Sequence, residues 1–138
     1  MGLLITREKT TKYATEKIND LLERQDFTSA LLLASIYVHM RLKTLITLRL
    51  SPPKEHWRDI ADSFNSGGSP LGFYGLINVC SKLGLVQNQD TRKLKGLWTH
   101  RNKIAHDTEL WKKISDKKQR EIIELCDFAK KFLKNTNY

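Results

Sequence analysis

The feature that most constrains the fold is a long apolar segment in the first half of the chain. Residues 27–48 read FTSALLLASIYVHMRLKTLITL, with Asp26 in front as a helix cap and the sequence SPP at 51–53 behind as a break. Apolar side chains cover much of the circumference of a helix over this span. Such a helix must bury most of its surface, which predicts a place in the middle of a bundle or in a subunit interface.

Helical periodicity also dominates the other segments, and strand-like alternation is nearly absent. We expect a first helix from about Arg7 to Arg24, a short one through KEHWRDIADSF, and one through PLGFYGLINVCSKLGLV with Pro70 near its start and Gly84 near its end. Two more are predicted, through NQDTRKLKGLWTHRNKIAH and from Ser115 to about Leu133. The fold class is therefore all-α, a compact bundle of about five to six helices, with residues 1–138 forming one domain.

Composition narrows the classes of function. The two cysteines, Cys80 and Cys126, are far apart and in no metal-ligand spacing, so neither a disulfide framework nor a zinc site is indicated, and we expect no cofactor. Both are expected to pack as small hydrophobes in a reducing cytoplasm. We expect no signal peptide and no membrane span, and hence a cytoplasmic protein without a membrane partner.

The charge balance points to an anionic partner. The net charge is +9 and the isoelectric point is near 9.7, which favours nucleic acid; the alternative is a basic surface that is merely solvated. Part of the excess is local, in WKKISDKKQR and AKKFLKN. Local excess matters because phosphate binding needs positive potential on one face.

An arginine interrupts the apolar stripe of the helix predicted over 88–106. Arg101 lies at the centre of a face formed by Leu94, Leu97, Trp98, Ile104 and Ala105. A guanidinium there is costly unless it has a partner, either a carboxylate such as Asp59 or Asp62, or a bound anion.

Two further polar residues follow Arg101 on this helix. Asn102 and His106 are four residues apart and share a face. Arg101 and His106 lie about 140° apart around an unbroken helix and about 7.5 Å along it. They converge only if the helix bends or if a second subunit completes the site.

These residues carry a family resemblance. LGLVQNQDTRKLKGLWTHRNKIAHD resembles the carboxy-terminal half of HEPN domains, whose signature is an Arg, a polar residue, two to five further positions and a His, here Arg101, Asn102 and His106. ALLLASIYVHMRLKTLI and SPLGFYGLINVCSKLGLV resemble the subgroup containing the mannitol operon repressor family. A second pair, Arg49 and His56, straddles two prolines and has no polar residue after the Arg, so it departs from the signature.

The resemblance implies an all-α homodimer that often brings two such motifs together and is frequently a metal-independent endoribonuclease. Many HEPN proteins are toxins or defence factors neutralised by a nucleotidyltransferase-like antitoxin, which the resemblance suggests for this chain. In RNA cleavage His106 suits the proton transfers and Arg101 suits the phosphate, while Asn102 orients one or the other. A non-catalytic module that binds RNA, nucleotide or protein remains an alternative, as does a transcriptional regulator, although no helix-turn-helix is apparent.

Other polar and aromatic residues have plainer predictions. His39 is expected to be a satisfied core or interface histidine; members of the subgroup often have an acidic residue near this position, which puts a supporting role there in doubt. We expect His56 and His100 at the surface, where His100, being next to Arg101, is also a candidate to touch substrate. Trp98 is a better candidate for the core than for base stacking, and Tyr74 has no role that sequence can assign.

Overall fold

The computed structural model describes residues 7–50, 54–56, 72–106 and 114–136, and the side chains of 11–50, 55–56, 72–104 and 114–136. Five α-helices form a bundle, and these residues contain no strand, which confirms the all-α prediction. The helices are α1 (Arg7–Glu23), α2 (Phe27–Arg49), α3 (Phe73–Lys82), α4 (Asn88–His106) and α5 (Asp116–Asn135). Of the short helix predicted over 54–64, only Lys54–His56 is described, as a single 3-10 turn; Pro70 and NSGGSP lie outside the described residues.

Helix α2 lies at the centre of the bundle. It packs against α1, α3, α4 and α5, and every residue from Arg41 to Thr47 is buried, so its whole circumference is covered there. By length and composition α2 is also the one helix in the described part of the chain that could cross a membrane. The four helices around it account for its apolar character and confirm the predicted central position.

Local interactions define the helix ends. The Asp26 carboxylate accepts a hydrogen bond from the Ser29 amide at 3.3 Å, as the predicted cap requires. Gly84 follows α3 with φ +71°; its amide donates to the Ser81 carbonyl at 3.1 Å, and the Leu85 amide donates to the Cys80 carbonyl at 2.9 Å. This pair of bonds is the Schellman motif, and its left-handed residue favours glycine. The turn sends the chain back, so that α4 packs against α3.

The core contains side chains from all five helices. Cys80 and Cys126 are fully buried among them, and burial raises the pKa of each thiol to about 12. The prediction that both cysteines pack as small hydrophobes is thereby confirmed. Leu94, Leu97 and Ile104 are buried on α4, which turns the face that carries Arg101 toward α2 and α3.

Candidate anion-binding site

Arg101 lies on the inward face of α4, in line with its buried leucines. The guanidinium carbon lies 5.6 Å from the centre of the Phe73 ring at the start of α3. One terminal nitrogen, Nη2, donates to the Asn102 side-chain oxygen at 3.2 Å. The ring and the amide together hold the guanidinium in place.

The hydrogen-bonding capacity of Arg101 is not filled. Its Nε is buried and has no acceptor, and no carboxylate among the described residues forms an ion pair with it. The alternative partners Asp59 and Asp62 lie outside the described residues. A buried donor without an acceptor costs about 1 to 3 kcal/mol, and an anion that supplies oxygen atoms to the guanidinium fork removes that cost.

His39, on α2, lies beside the same phenylalanine. Its ring stacks on Phe73 with centroids 5.1 Å apart and planes within 7°, and its Nε2 is buried without a hydrogen-bond partner. Burial lowers the pKa of His39 to about 4, with further contributions from the nearby charges of Lys43 and Arg101. The ring is therefore neutral near pH 7. The packing on Phe73 agrees with the predicted core or interface position, but the prediction of a satisfied histidine is wrong, because Nε2 is buried without a hydrogen-bond partner.

Three helices thus contribute to one cluster, here called the Arg101 cluster: Arg101 of α4, Phe73 of α3, and His39 and Lys43 of α2. Lys43 is only 8% exposed, one helical turn beyond His39. The cluster brings the unfilled Nε of Arg101 near a neutral imidazole that has an open nitrogen. Such a group of donors in a partly buried place suits an oxyanion.

The three residues predicted for the site are described to different depths. Arg101 and Asn102 are in contact through the 3.2 Å hydrogen bond between their side chains. His106 is the last residue of α4, and its side chain lies outside the described part. Since α4 is α-helical up to His106, the backbone positions of Arg101 and His106 are on different sides of the helix, about 140° apart.

His100 corrects a prediction. It is half-buried rather than at the surface, because its ring lies between two oxygens: Nδ1 is 2.9 Å from the Gly96 carbonyl and Nε2 is 3.1 Å from the Glu121 carboxylate. Lys118 also donates to Glu121, and the two hydrogen bonds lower the pKa of that carboxyl. His100 therefore links α4 to α5 next to Arg101. His56 is exposed, as predicted.

Tyr74 is a residue that sequence analysis could not place. Its ring packs on Trp98 with centroids 4.8 Å apart, and Trp98 precedes Asn102 by one helical turn. Trp98 is half-buried against the core, in keeping with its prediction. The contact depends on how α3 packs on α4, so the spacing of residues along the chain carries no signal for it.

The known proteins compared with this chain provide no guide to its function. Comparison of the chain with models of protein families, with curated proteins and with solved structures finds no match. Among the described residues, no group of three His, Cys, Asp or Glu side chains is placed to hold a metal ion. The described residues that suggest a function are Arg101, with its unfilled donors, and the neutral His39 beside it.

Proposed function

We propose that this protein is a metal-independent endoribonuclease of the HEPN type, in which Arg101 binds the scissile phosphate and His106 transfers protons. The observation that carries the proposal is the state of Arg101. Its guanidinium lies on an apolar helix face, is held by Phe73 and Asn102, and keeps a buried Nε without an acceptor. The Arg-Asn-x-x-x-His spacing supplies the proton-transfer group in the same helix.

The proposed reaction is an internal transesterification. The 2′-oxygen loses its proton and bonds to the neighbouring phosphorus, the bond from phosphorus to the 5′-oxygen breaks, and a proton returns to that oxygen. The products are a 2′,3′-cyclic phosphate and a 5′-hydroxyl. Arg101 stabilises the charge on the phosphate oxygens, Asn102 keeps the guanidinium oriented, and His106 serves as the imidazole that such proton transfers use.

We further propose that a second copy of the chain completes the site. Helix α2 exposes Ile36 and Met40, which are 54% and 48% exposed, on the same helix face as His39. Neighbouring apolar side chains at the surface are typical of an interface, and this pair lies next to the Arg101 cluster. A two-fold axis there brings Arg101 of one chain toward His106 of the other, which α4 alone keeps apart.

A biological setting follows from the same resemblance. We propose a toxin or defence factor acting in the cytoplasm, with a nucleotidyltransferase-like protein as the antitoxin. The excess of positive charge, +9 over the chain, supports the choice of RNA as the target. Co-expression with a candidate antitoxin should restore the growth of cells that the active protein arrests, and a His106→Ala variant should arrest no growth.

The deciding experiment is cleavage of end-labelled RNA by pure protein in EDTA. Wild type should give fragments ending in a cyclic phosphate, and Arg101→Ala and His106→Ala should give almost none. Arg49→Ala is the matched control, because Arg49 is an exposed arginine at the end of α2 and lies outside the Arg-Asn-x-x-x-His motif. RNA left intact by wild type would overturn the nuclease, and binding without cleavage would favour the non-catalytic module.

The shared site has its own test. Sedimentation should give the mass of a dimer at micromolar concentration, and Ile36→Asp with Met40→Asp should shift it toward the monomer. Co-refolding equal amounts of Arg101→Ala and His106→Ala produces about half mixed dimers, each with one intact Arg101 and one intact His106 on opposite chains. Recovery of up to about a quarter of the activity supports the shared site; no recovery rejects a site built from those two groups alone.

A further inference from the structure

The surface beside the motif contains an exposed aromatic ring held by its neighbours. Tyr74 is 41% exposed, although it packs on Trp98 and has the Lys95 ammonium 5.4 Å from its ring centre. Trp98 in turn packs against the core. One part of the Tyr74 ring is thus fixed while another is open to solvent. Proteins that bind single-stranded nucleic acid stack unpaired bases on aromatic rings beside cations, and Tyr74 has this arrangement.

Positive charge is concentrated on α4, the helix that contains Lys95 and Trp98. Over 88–106 α4 has five Lys and Arg residues against one carboxylate, a net charge of +4, whereas α1 has four of each sign over 7–23 and a net charge of zero. The cations of α4 are Arg92, Lys93, Lys95, Arg101 and Lys103. A chain of phosphates is therefore attracted to α4 more than to α1.

The positions of these cations define a path. By helical geometry Arg92, Lys95, Asn102 and Lys103 lie on the side of α4 away from its buried leucines, in what is here called the outer stripe of α4. The stripe is about 16 Å long from Arg92 to Lys103. It passes Tyr74 at Lys95 and reaches the Arg101 cluster at Asn102, whose side chain contacts Arg101.

We propose that single-stranded RNA lies along the outer stripe of α4, with one base stacked on Tyr74 and its phosphates on Arg92, Lys95 and Lys103. The proposal rests on the proposed ribonuclease function and names its substrate class. A strand so placed leads from the Tyr74 platform to Arg101. Base-paired RNA does not fit, because its bases are stacked within the duplex and offer no free face to the tyrosine. Stacking tolerates any base, so sequence preference at this position is weak.

Binding of a fluorescent oligouridine, measured in a His106→Ala background so that it stays intact, tests the platform. Adding Tyr74→Ala should raise Kd about 5- to 100-fold, while Tyr74→Phe should leave it within about twofold. The matched control is Tyr13→Ala. Tyr13 is 52% exposed on α1, with the Lys17 ammonium 5.6 Å from its ring centre and Tyr37 beside it, but its helix has no net charge.

Two further arms separate stacking from charge. An oligomer with abasic sites should bind the protein with Tyr74 less tightly than the intact oligomer does. Its affinity should not fall further in Tyr74→Ala, because there is no base left to stack. Lys95→Gln should lower the slope of log Kd against log salt concentration by about one, because one phosphate contact is lost. Unchanged affinity in Tyr74→Ala, or an equal loss in Tyr13→Ala, would overturn the platform.

The outcomes distinguish this surface from the nuclease itself. Binding that depends on Tyr74, in a wild-type protein that cleaves no RNA, supports the surface and rejects the proposed catalysis. Cleavage that depends on Arg101 and His106 but not on Tyr74, with binding also unaffected, rejects the surface and keeps the catalysis. Melting curves that match for Tyr74→Ala and Tyr74→Phe establish that a loss of affinity is not a loss of fold.

Discussion

Two arginines inside the bundle have opposite surroundings. Arg41 on α2 is 5% exposed, and its guanidinium donates to the Leu133 carbonyl at 2.6 Å, to the Thr136 hydroxyl at 3.2 Å and to the Thr11 hydroxyl at 2.9 Å. Arg101 on α4 is half-buried; within the described part of the chain its guanidinium has one hydrogen bond, to Asn102, and its buried Nε has no acceptor.

The difference lies in the acceptors that the fold supplies. Around Arg41 the acceptors come from α1 and from the end of α5. The last carbonyl groups of a helix lack a partner within the helix and interact favourably with a cation. Arg41 therefore connects three helices, and its guanidinium donates its hydrogen bonds to groups of the protein itself. Arg101 is held by a ring and one amide, so several of its donors remain available. We infer from this comparison that the unfilled donors of Arg101, rather than its burial, make it the candidate binding residue.

Removal of Arg101 should have the largest effect, and that effect should fall on cleavage. We expect Arg101→Ala to lower kcat/KM for RNA about 100- to 1000-fold, because one charged donor to the transition state is lost. The free energy of unfolding should change by less than about 1 kcal/mol. Cleavage assays in EDTA and urea unfolding measure the two quantities. A strongly destabilised Arg101→Ala would show that this arginine too is structural.

Arg41→Ala should produce the reverse result. The hydrogen bonds to Thr11, Leu133 and Thr136 disappear and the Leu133 carbonyl loses a charged donor, so we expect the free energy of unfolding to fall by about 2 to 4 kcal/mol. At a temperature where the variant remains folded, cleavage per folded molecule should be near that of wild type. Arg49→Ala, which changes an exposed arginine of the same helix, should leave stability within about 0.5 kcal/mol. Equal losses in both variants would contradict the assignment.

Inorganic phosphate should distinguish the two arginines more finely. At ten times its Kd, phosphate should stabilise wild type by about 1.4 kcal/mol, and this increment should vanish in Arg101→Ala. Arg41→Ala, although less stable, should keep the whole increment. Thermal melting with and without phosphate, at matched ionic strength, measures it. An increment that survives in Arg101→Ala would place the anion elsewhere.

The smallest effect concerns the pH dependence of His39. Its pKa in the folded state, about 4, is below the ordinary value of 6.5, so the unfolded chain binds the proton first as pH falls. His39 therefore lowers stability between about pH 6.5 and pH 4. The whole shift corresponds to about 3 kcal/mol, which partial solvent exposure of the ring reduces to about 1 kcal/mol. Urea unfolding at pH 7 and pH 4.5 should show this loss in wild type and not in His39→Gln.

The pKa of His39, measured by nuclear magnetic resonance, should respond differently to removal of the two arginines. Arg101→Ala should raise the pKa of His39 by a modest amount, since burial and Lys43 are the larger causes and remain in place. Arg41→Ala should leave that pKa where it is. A wild-type His39 that titrates near 6.5 would contradict the buried, charge-affected environment described for this ring.

Much of the fold followed from local patterns in the chain. The predicted helix over 88–106 coincides with α4, and the caps at Asp26, Ser115 and Gly84 are where the sequence placed the helix ends. Periodicity and capping join residues within about four positions, so a single sequence contains what determines them. The same local patterns located Arg101 at the centre of the apolar stripe of that helix, with Asn102 at the edge of the stripe.

Contacts between helices could not be read in this way. His39 meets Phe73, Tyr74 meets Trp98, and His100 meets Glu121 across more than twenty positions of sequence. Each contact depends on the angle and register at which two helices pack, which side-chain interlocking decides for the bundle as a whole. The surface prediction for His100 was wrong for this reason, and Tyr74 was given no role.

The sequence by itself determined that the chain forms a helical bundle and that Arg101 interrupts an apolar helix face. Only the tertiary structure decided that Arg41 is the satisfied arginine and Arg101 the unsatisfied one. The acceptors for Arg41 come from Thr11, Leu133 and Thr136, far from it along the chain. Whether a buried donor is satisfied depends on the oxygen atoms that packing brings to it, and those are set by distance in space rather than by position in sequence.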